Sequence, residues 1–212
     1  MKSRWSVTPD AQAIFHQAFA ESTVASMSPF VAAHDFSKDR VVADLGGGGG
    51  GLLAAILTAN PHVRGILVDR SQAVSSAATK FQSIGLADQC EFLAGDLLDT
   101  IPQGPDTYIL QSVLHGYDDN NAHRILKNCR AVTKPGGRLL IIEVVLPTTV
   151  ASVDPDMEKL LMADINMLAV TGGRERSQAE WSSLLSSAGY QVNWIVSVPE
   201  STASIIESVP CE

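Results

Sequence analysis

The residues of this chain best suited to chemistry are one histidine, two glutamates and three aspartates grouped around a run of glycine. His115 lies in Tyr108-Ile109-Leu110-Gln111-Ser112-Val113-Leu114-His115-Gly116-Tyr117-Asp118-Asp119, just past an apolar run of strand type. That places its imidazole at the end of a strand, on the side where open α/β sheets bind ligands. An imidazole there can serve as a general base, because its pKa lies near the working pH. Glu143 stands at the end of the apolar run Leu139 to Val145, where a carboxylate is costly to bury without a partner. Glu175 stands between two arginines in Gly172-Gly173-Arg174-Glu175-Arg176-Ser177, and a surface acid is the competing reading for it. One glutamate could hold the second ring nitrogen, and both would favour the imidazolium formed on proton abstraction. His16, His34, His62 and His123 fall on expected helices or loops and read as solvated or packed.

The glycine run, Gly46 to Gly51, follows Val41-Val42-Ala43-Asp44-Leu45 and precedes a helical pattern from Leu52. Glycines between a strand and a helix allow a sharp turn and a close approach to a ligand, which describes a nucleotide site. Because every position is glycine, the run satisfies both the dinucleotide fingerprint G-x-G-x-x-G and the methyltransferase pattern D-x-G-x-G-x-G. Asp69, at the end of Leu67-Val68-Asp69, could accept ribose hydroxyls in either cofactor class. Asp96, in Ala94-Gly95-Asp96-Leu97, suits an adenine amino group, and Asp44 suits the ammonium end of an amino-acid cofactor. NAD needs neither. No spacing of metal ligands and no G-x-S-x-G nucleophile motif is present.

These residues need elements to position them. Strand-like runs at Arg40 to Leu45, Val63 to Val68, Cys90 to Leu93, Thr107 to Leu110 and Arg138 to Val145 alternate with helical patterns at Leu52 to Ala59, Gln72 to Ser83 and Asn121 to Val132. This rhythm predicts a parallel sheet covered by helices on both faces. Beyond Pro147 come a longer helix, about Asp154 to Leu168, a Gly172-Gly173 turn, and a helix from Gln178 to Ala188 closed by Gly189. Two last strand-like runs, Gln191 to Val198 and Ser201 to Val209, are joined so shortly that an antiparallel hairpin is expected. Before the first strand, helical patterns run around Ala11 to Phe19 and Ser28 to Phe36, with Pro9 and Pro29 suited to first turns.

The whole chain has 212 residues, 45% of them hydrophobic and 18% charged, a composition able to bury one full core. A net charge of −8 argues against nucleic acid as a partner and for a small substrate. Cys90, Cys129 and Cys211 are widely spaced and read as reduced thiols rather than a disulfide framework or zinc site. With no apolar signal core and no long apolar run, no membrane partner is expected, and a cytoplasmic location is.

Five stretches taken in order resemble the S-adenosylmethionine-dependent small-molecule O-methyltransferases, a family that includes caffeic acid, acetylserotonin and bacterial polyketide enzymes. They are Asp44 to Gly50, Gly95-Asp96-Leu97, Leu114 to Asp119, Glu143-Val144-Val145-Leu146-Pro147 and Gly172 to Ser177. The resemblance runs from about Phe15 to the C-terminus. It implies a Rossmann-like class I methyltransferase fold: seven strands, mostly parallel, with a C-terminal antiparallel hairpin. It implies methyl transfer from S-adenosylmethionine to a hydroxyl of a small aromatic metabolite, with S-adenosylhomocysteine as product and no metal.

By the same resemblance His115 is the base and Glu143 and Glu175 its flanking acids. Asp44, Gly46, Gly48, Asp69, Gly95, Asp96, Leu97 and Ser112 fall at cofactor positions, and Phe19 and Asn166 at acceptor positions. Residues 39–212 would form the cofactor-binding domain, with residues 1–38 a helical segment packed on it. Homodimers are usual in the family, through an additional N-terminal domain expected to be absent here. The chain departs from the family at Gly116 and Tyr117, where Asp-Trp is usual, and at Gln111 and Ser112, where Lys or Arg commonly helps hold the cofactor. The glycine loop leaves a NAD-dependent oxidoreductase as one alternative, and Gly116, Gln111 and Ser112 leave a cofactor-binding module without methyl transfer as another.

Overall fold

A computed structural model describes residues 27–149, 155–199 and 201–211. The expected helix at Ala11 to Phe19, and Phe19 with it, lies outside the described residues. The strands are β1 (Val41–Leu45), β2 (Arg64–Asp69), β3 (Cys90–Ala94), β4 (Thr107–Gln111), β5 (Arg138–Leu146), the short β6 (Arg176–Ser177), β7 (Tyr190–Ser197) and β8 (Ala203–Pro210). The helices are α1 (Ser28–Ala32), α2 (Gly51–Ala59), α3 (Ser71–Ser83), α4 (Asp119–Val132), α5 (Pro155–Val170) and α6 (Gln178–Ala188).

Seven strands form the main sheet in the order β3-β2-β1-β4-β5-β8-β7, with β6 added beside β5. β1 to β5 run parallel, and β8 pairs antiparallel with both β5 and β7. The central strands are buried on both faces, which is why their sequences are apolar without alternation. Along them Ala43, Leu45, Leu110 and Ile141 join one core with Leu126 of α4 and Trp181 and Leu185 of α6. Val42, Ile109 and Leu140 join a second core with Leu53 and Ile56 of α2 and Phe81 of α3. Period-two alternation thus distributes one strand between two cores.

The order places β1 between β2 and β4. The chain leaves β1 toward one edge and returns on its other side, which opens a crevice at the carboxyl ends of β1 and β4. Local signals hold the helices in register. Asp118 caps α4 by accepting the Asn121 N–H at 2.8 Å, and Ser177 and Glu180 form a reciprocal capping box on α6. Gly189 ends α6 with φ 89°, a left-handed cap that suits glycine.

One edge of β5 is handed over partway. It pairs with β4 through Ile142, then with β6 at Val145 and Leu146, while β8 lines its other edge from Leu139 to Val144. At this handover β4 ends and the chain turns into the segment bearing His115.

Candidate active site

Asp44 leaves β1 only 2% exposed, beneath the glycine loop. A Cβ on Gly47 would stand 2.6 Å from Asp44 Oδ2, so that position has no room for a side chain. Gly48 adopts φ +54° with open space around it, and its N–H donates to Asp69 Oδ2 at 2.8 Å. The loop after β1 is thereby tied to the end of β2. Beside it lies a small cavity lined by Gly46, Asp69, Arg70, Gly95, Asp96, Leu97, Val113 and Tyr117. Asp44 Oδ1 has no hydrogen-bond partner among the described residues. Burial, with the charge of Asp69 adding to it, pushes the Asp44 carboxyl up to about 7. A buried, unpaired acid under a glycine cradle is matched to a ligand carrying a cationic group, as an amino-acid-bearing nucleoside does.

After β4, Ser112 takes φ 52°, the one non-glycine residue with positive φ among those described. The chain then enters a short 3-10 turn, Leu114–Gly116. Glu143 Oε1 accepts the N–H groups of Val113 and Leu114 at 2.8 Å each and of His115 at 3.4 Å, so the buried carboxylate of β5 organises the whole turn. Its Oε2 lies 3.4 Å from His115 Nδ1, and Glu175 Oε1 makes the shorter contact to the same nitrogen, 2.9 Å. Both acids are buried, at 1% and 2% exposure, while the His115 side chain is 20% exposed. Burial by itself would lower the imidazole pKa. The hydrogen bond to Glu175 and the charges of Glu143 and Glu175 outweigh it and hold the ring above its ordinary value. Burial, opposed by His115 and reinforced by Glu175, raises the Glu143 carboxyl.

The structure thus brings His115, Glu143 and Glu175 together, with one potential ligand atom from each within 4.8 Å of the others, a grouping that no spacing in the sequence announced. It decides against the surface-acid reading of Glu175. Of the positions matched to the cofactor, Gly46, Asp69, Gly95, Asp96 and Leu97 line one cavity, Gly48 bonds Asp69, and Asp44 lies beneath the loop. Ser112 is exposed and does not line that cavity, and Asn166 is exposed on α5. Two residues were not anticipated. Asp164 of α5 accepts the Glu175 N–H at 2.8 Å, and Tyr117 lines the cavity beside Asp96, its hydroxyl pKa raised first by burial and then by that charge.

Residues 3–191 match the model of the O-methyltransferase domain family. The mitomycin biosynthesis 6-O-methyltransferase of Streptomyces lavendulae is 36% identical over 193 residues, which are 90% of this chain and 54% of that protein. The aclacinomycin 10-hydroxylase of Streptomyces purpurascens is 38% identical over 157 residues, 74% of this chain and 41% of the other. An O-methyltransferase of neocarzinostatin biosynthesis, solved with S-adenosylmethionine and 2-hydroxy-5-methyl naphthoic acid, superposes with a TM-score of 0.83 at 32% identity, covering 96% of this chain and 58% of that one. The chain spans about half the length of the curated relatives it matches. With the family model covering nearly the whole chain, the chain belongs to the O-methyltransferase domain family.

Proposed function

We propose that this chain binds S-adenosylmethionine along its glycine loop and methylates a hydroxyl group of a small aromatic metabolite, with His115 as general base. The observation that carries the reading is the contact of His115 Nδ1 with two buried glutamates, on a turn whose Val113 and Tyr117 line the cavity beside Gly46 and Asp69. S-adenosylmethionine supplies a methyl group already activated on a sulfonium and leaves as S-adenosylhomocysteine. Asp44 would face its ammonium group, Asp69 its ribose hydroxyls, and Asp96, Leu97 and Tyr117 its adenine.

With Nδ1 hydrogen-bonded to Glu175, the neutral imidazole carries its proton on Nδ1 and presents a lone pair on Nε2. Nε2 is therefore the atom that takes the acceptor's hydroxyl proton as the oxygen attacks. The imidazolium so formed is stabilised by the two carboxylates, and Glu143 at the same time holds the turn that orients the ring. The protein's remaining task is alignment of the acceptor oxygen. A naphthoic acid bound to a relative supports a hydroxylated aromatic acceptor.

The deciding experiment incubates the protein with methyl-labelled S-adenosylmethionine and a panel of hydroxylated naphthoates, phenazines and quinones, beside thermal-shift titrations with S-adenosylhomocysteine and NADH. Label on an acceptor oxygen, with stabilisation by S-adenosylhomocysteine alone, is expected. Stabilisation by NADH alone would overturn the cofactor assignment. The relative named as a 10-hydroxylase motivates a second reading, cofactor binding without methyl transfer. Saturable S-adenosylhomocysteine binding with no labelled product across the panel would favour it.

A further inference from the structure

We infer that Arg176 is a positioning residue: its buried guanidinium fastens the turn that carries His115 to the segment that carries Glu175, and so sets the base against its acid. The inference rests on the reading of His115 as the base. Arg176 directly follows Glu175 and pairs through its backbone with Val145 of β5. Its side chain is 1% exposed, although arginine is rarely buried in full.

Each nitrogen of the guanidinium is used. Nη1 donates to the Leu114 carbonyl at 3.0 Å and, at 3.4 Å, to that of Arg174. Nη2 donates to the Tyr117 carbonyl at 3.0 Å and to Asp119 Oδ1 at 2.8 Å, and Nε donates to the same Oδ1 at 3.0 Å. The group lies 5.2 Å from the ring centroid of the buried Trp181. The two turn carbonyls it holds, those of Leu114 and Tyr117, bracket His115. The His115 carbonyl itself accepts the Arg174 N–H at 2.9 Å. The turn is thus pinned from below by the segment that bears Glu175.

A role limited to stability explains this poorly. Among the described residues the one carboxylate on the guanidinium, Asp119, is 58% exposed, so the pair gains little for the desolvation of a buried cation. The arrangement secures geometry. Two carbonyls three residues apart are spanned by a planar group with donors in fixed directions, whereas a lysine ammonium, a point charge on a flexible stem, cannot hold both in one place.

The test uses Arg176→Lys, Arg176→Met and Asp119→Asn in the full chain. The His115 ring is titrated by NMR in histidine-labelled protein, its signal assigned by its loss in His115→Ala. Methyl transfer is measured in parallel across pH. In Arg176→Lys the His115 pKa is expected to fall, because the influence of Glu175 weakens while burial persists. The rising limb of kcat/KM should move to lower pH with it, and kcat should drop by about 10- to 100-fold, as an ångström-scale misplacement does, with little change in KM. Asp119→Asn should shift the ring in the same direction by less. A folded Arg176→Lys whose His115 titrates like the parent overturns the inference, whatever its thermal stability. Should Arg176→Met fail to fold, the other two variants decide. Should the parent methylate no acceptor, the base assignment fails by itself, and the ring titration, which needs no acceptor, still decides the role of Arg176.

Discussion

Gly173 and His115 meet backbone to backbone. A Cβ placed on Gly173 would stand 2.0 Å from the His115 carbonyl oxygen, 2.7 Å from the Gly116 carbonyl carbon and 2.8 Å from the Tyr117 nitrogen. These atoms belong to the turn that presents the base, and no side-chain rotation can relieve the overlap. Gly173→Ala is expected to lower stability by about 3 kcal/mol or more and to depress activity further by displacing His115. Gly136→Ala is the control. Gly136 has φ +79° but open space, so only left-handed strain of about 1–2 kcal/mol applies there. Thermal melts of both variants would test the ordering, and equal losses would refute the steric argument.

Replacing the base separates binding from chemistry. His115→Ala is expected to reduce methyl transfer by about 10²- to 10⁴-fold, the usual share of a general base. Because His115 does not line the cavity beside Asp69, S-adenosylhomocysteine should stabilise the variant as it does the parent. Undiminished turnover of an established acceptor would remove His115 from the mechanism.

The pH profile follows from the same ring. Its neutral form is the base, and its pKa is held above 6.5, so kcat/KM should rise with pH and reach half its plateau above pH 6.5. Glu175→Gln removes a hydrogen bond to a charged partner and leaves the lowering effect of burial in place. The rising limb should therefore move to lower pH while the plateau falls. A limb that moves upward would contradict the assigned influence of Glu175.

Asp44 gives a prediction in which stability and binding part ways. Its carboxyl rises from 3.8 to about 7 on folding, so the folded protein binds the proton more tightly than the unfolded chain does. The resulting stability is fully present below about pH 4 and is lost as pH rises through 7. Asp44→Asn should escape that loss and be the more stable protein at pH 8 without ligand, by on the order of 4 kcal/mol at most. It should also bind S-adenosylhomocysteine more weakly, having no charge to meet the ammonium group. Denaturant melts at pH 5 and pH 8, with and without ligand, would show whether the two effects oppose.

Most of this fold was legible because the sheet is buried on both faces. Continuous apolar runs gave the main strands to within a residue or two, and Gly189 marked the end of α6. The helix expected over Ser28 to Phe36 stops at Ala32 instead. Past it His34 turns inward, packing on Phe36 and approaching Glu207 at 3.3 Å, so tertiary contacts override the helical pattern. β6 was invisible, since two residues carry no period. Glu175 was ambiguous because arginines flank it. Arg174 is indeed on the surface, at 44% exposure, but Arg176 folds inward with the acid, and what satisfies it is carbonyl groups some sixty residues earlier in the chain. Local sequence cannot register partners of that kind.

The handover on the edge of β5 makes the site a matter of parity. Glu175 directly precedes β6, and the pairing of Arg176 with Val145 fixes the phase in which the acid meets the ring and the guanidinium lies beneath the turn. A slip that carried Glu175 into the place of Arg176 would bring Arg174 into that of Glu175, presenting a cation to His115 and an acid to the carbonyls. Length changes in the stretch between α5 and β6 are therefore not equivalent to length changes in an ordinary surface loop. A two-residue insertion that bulges outward leaves the phase of the site intact, whereas a single residue taken up in the strand inverts its charge.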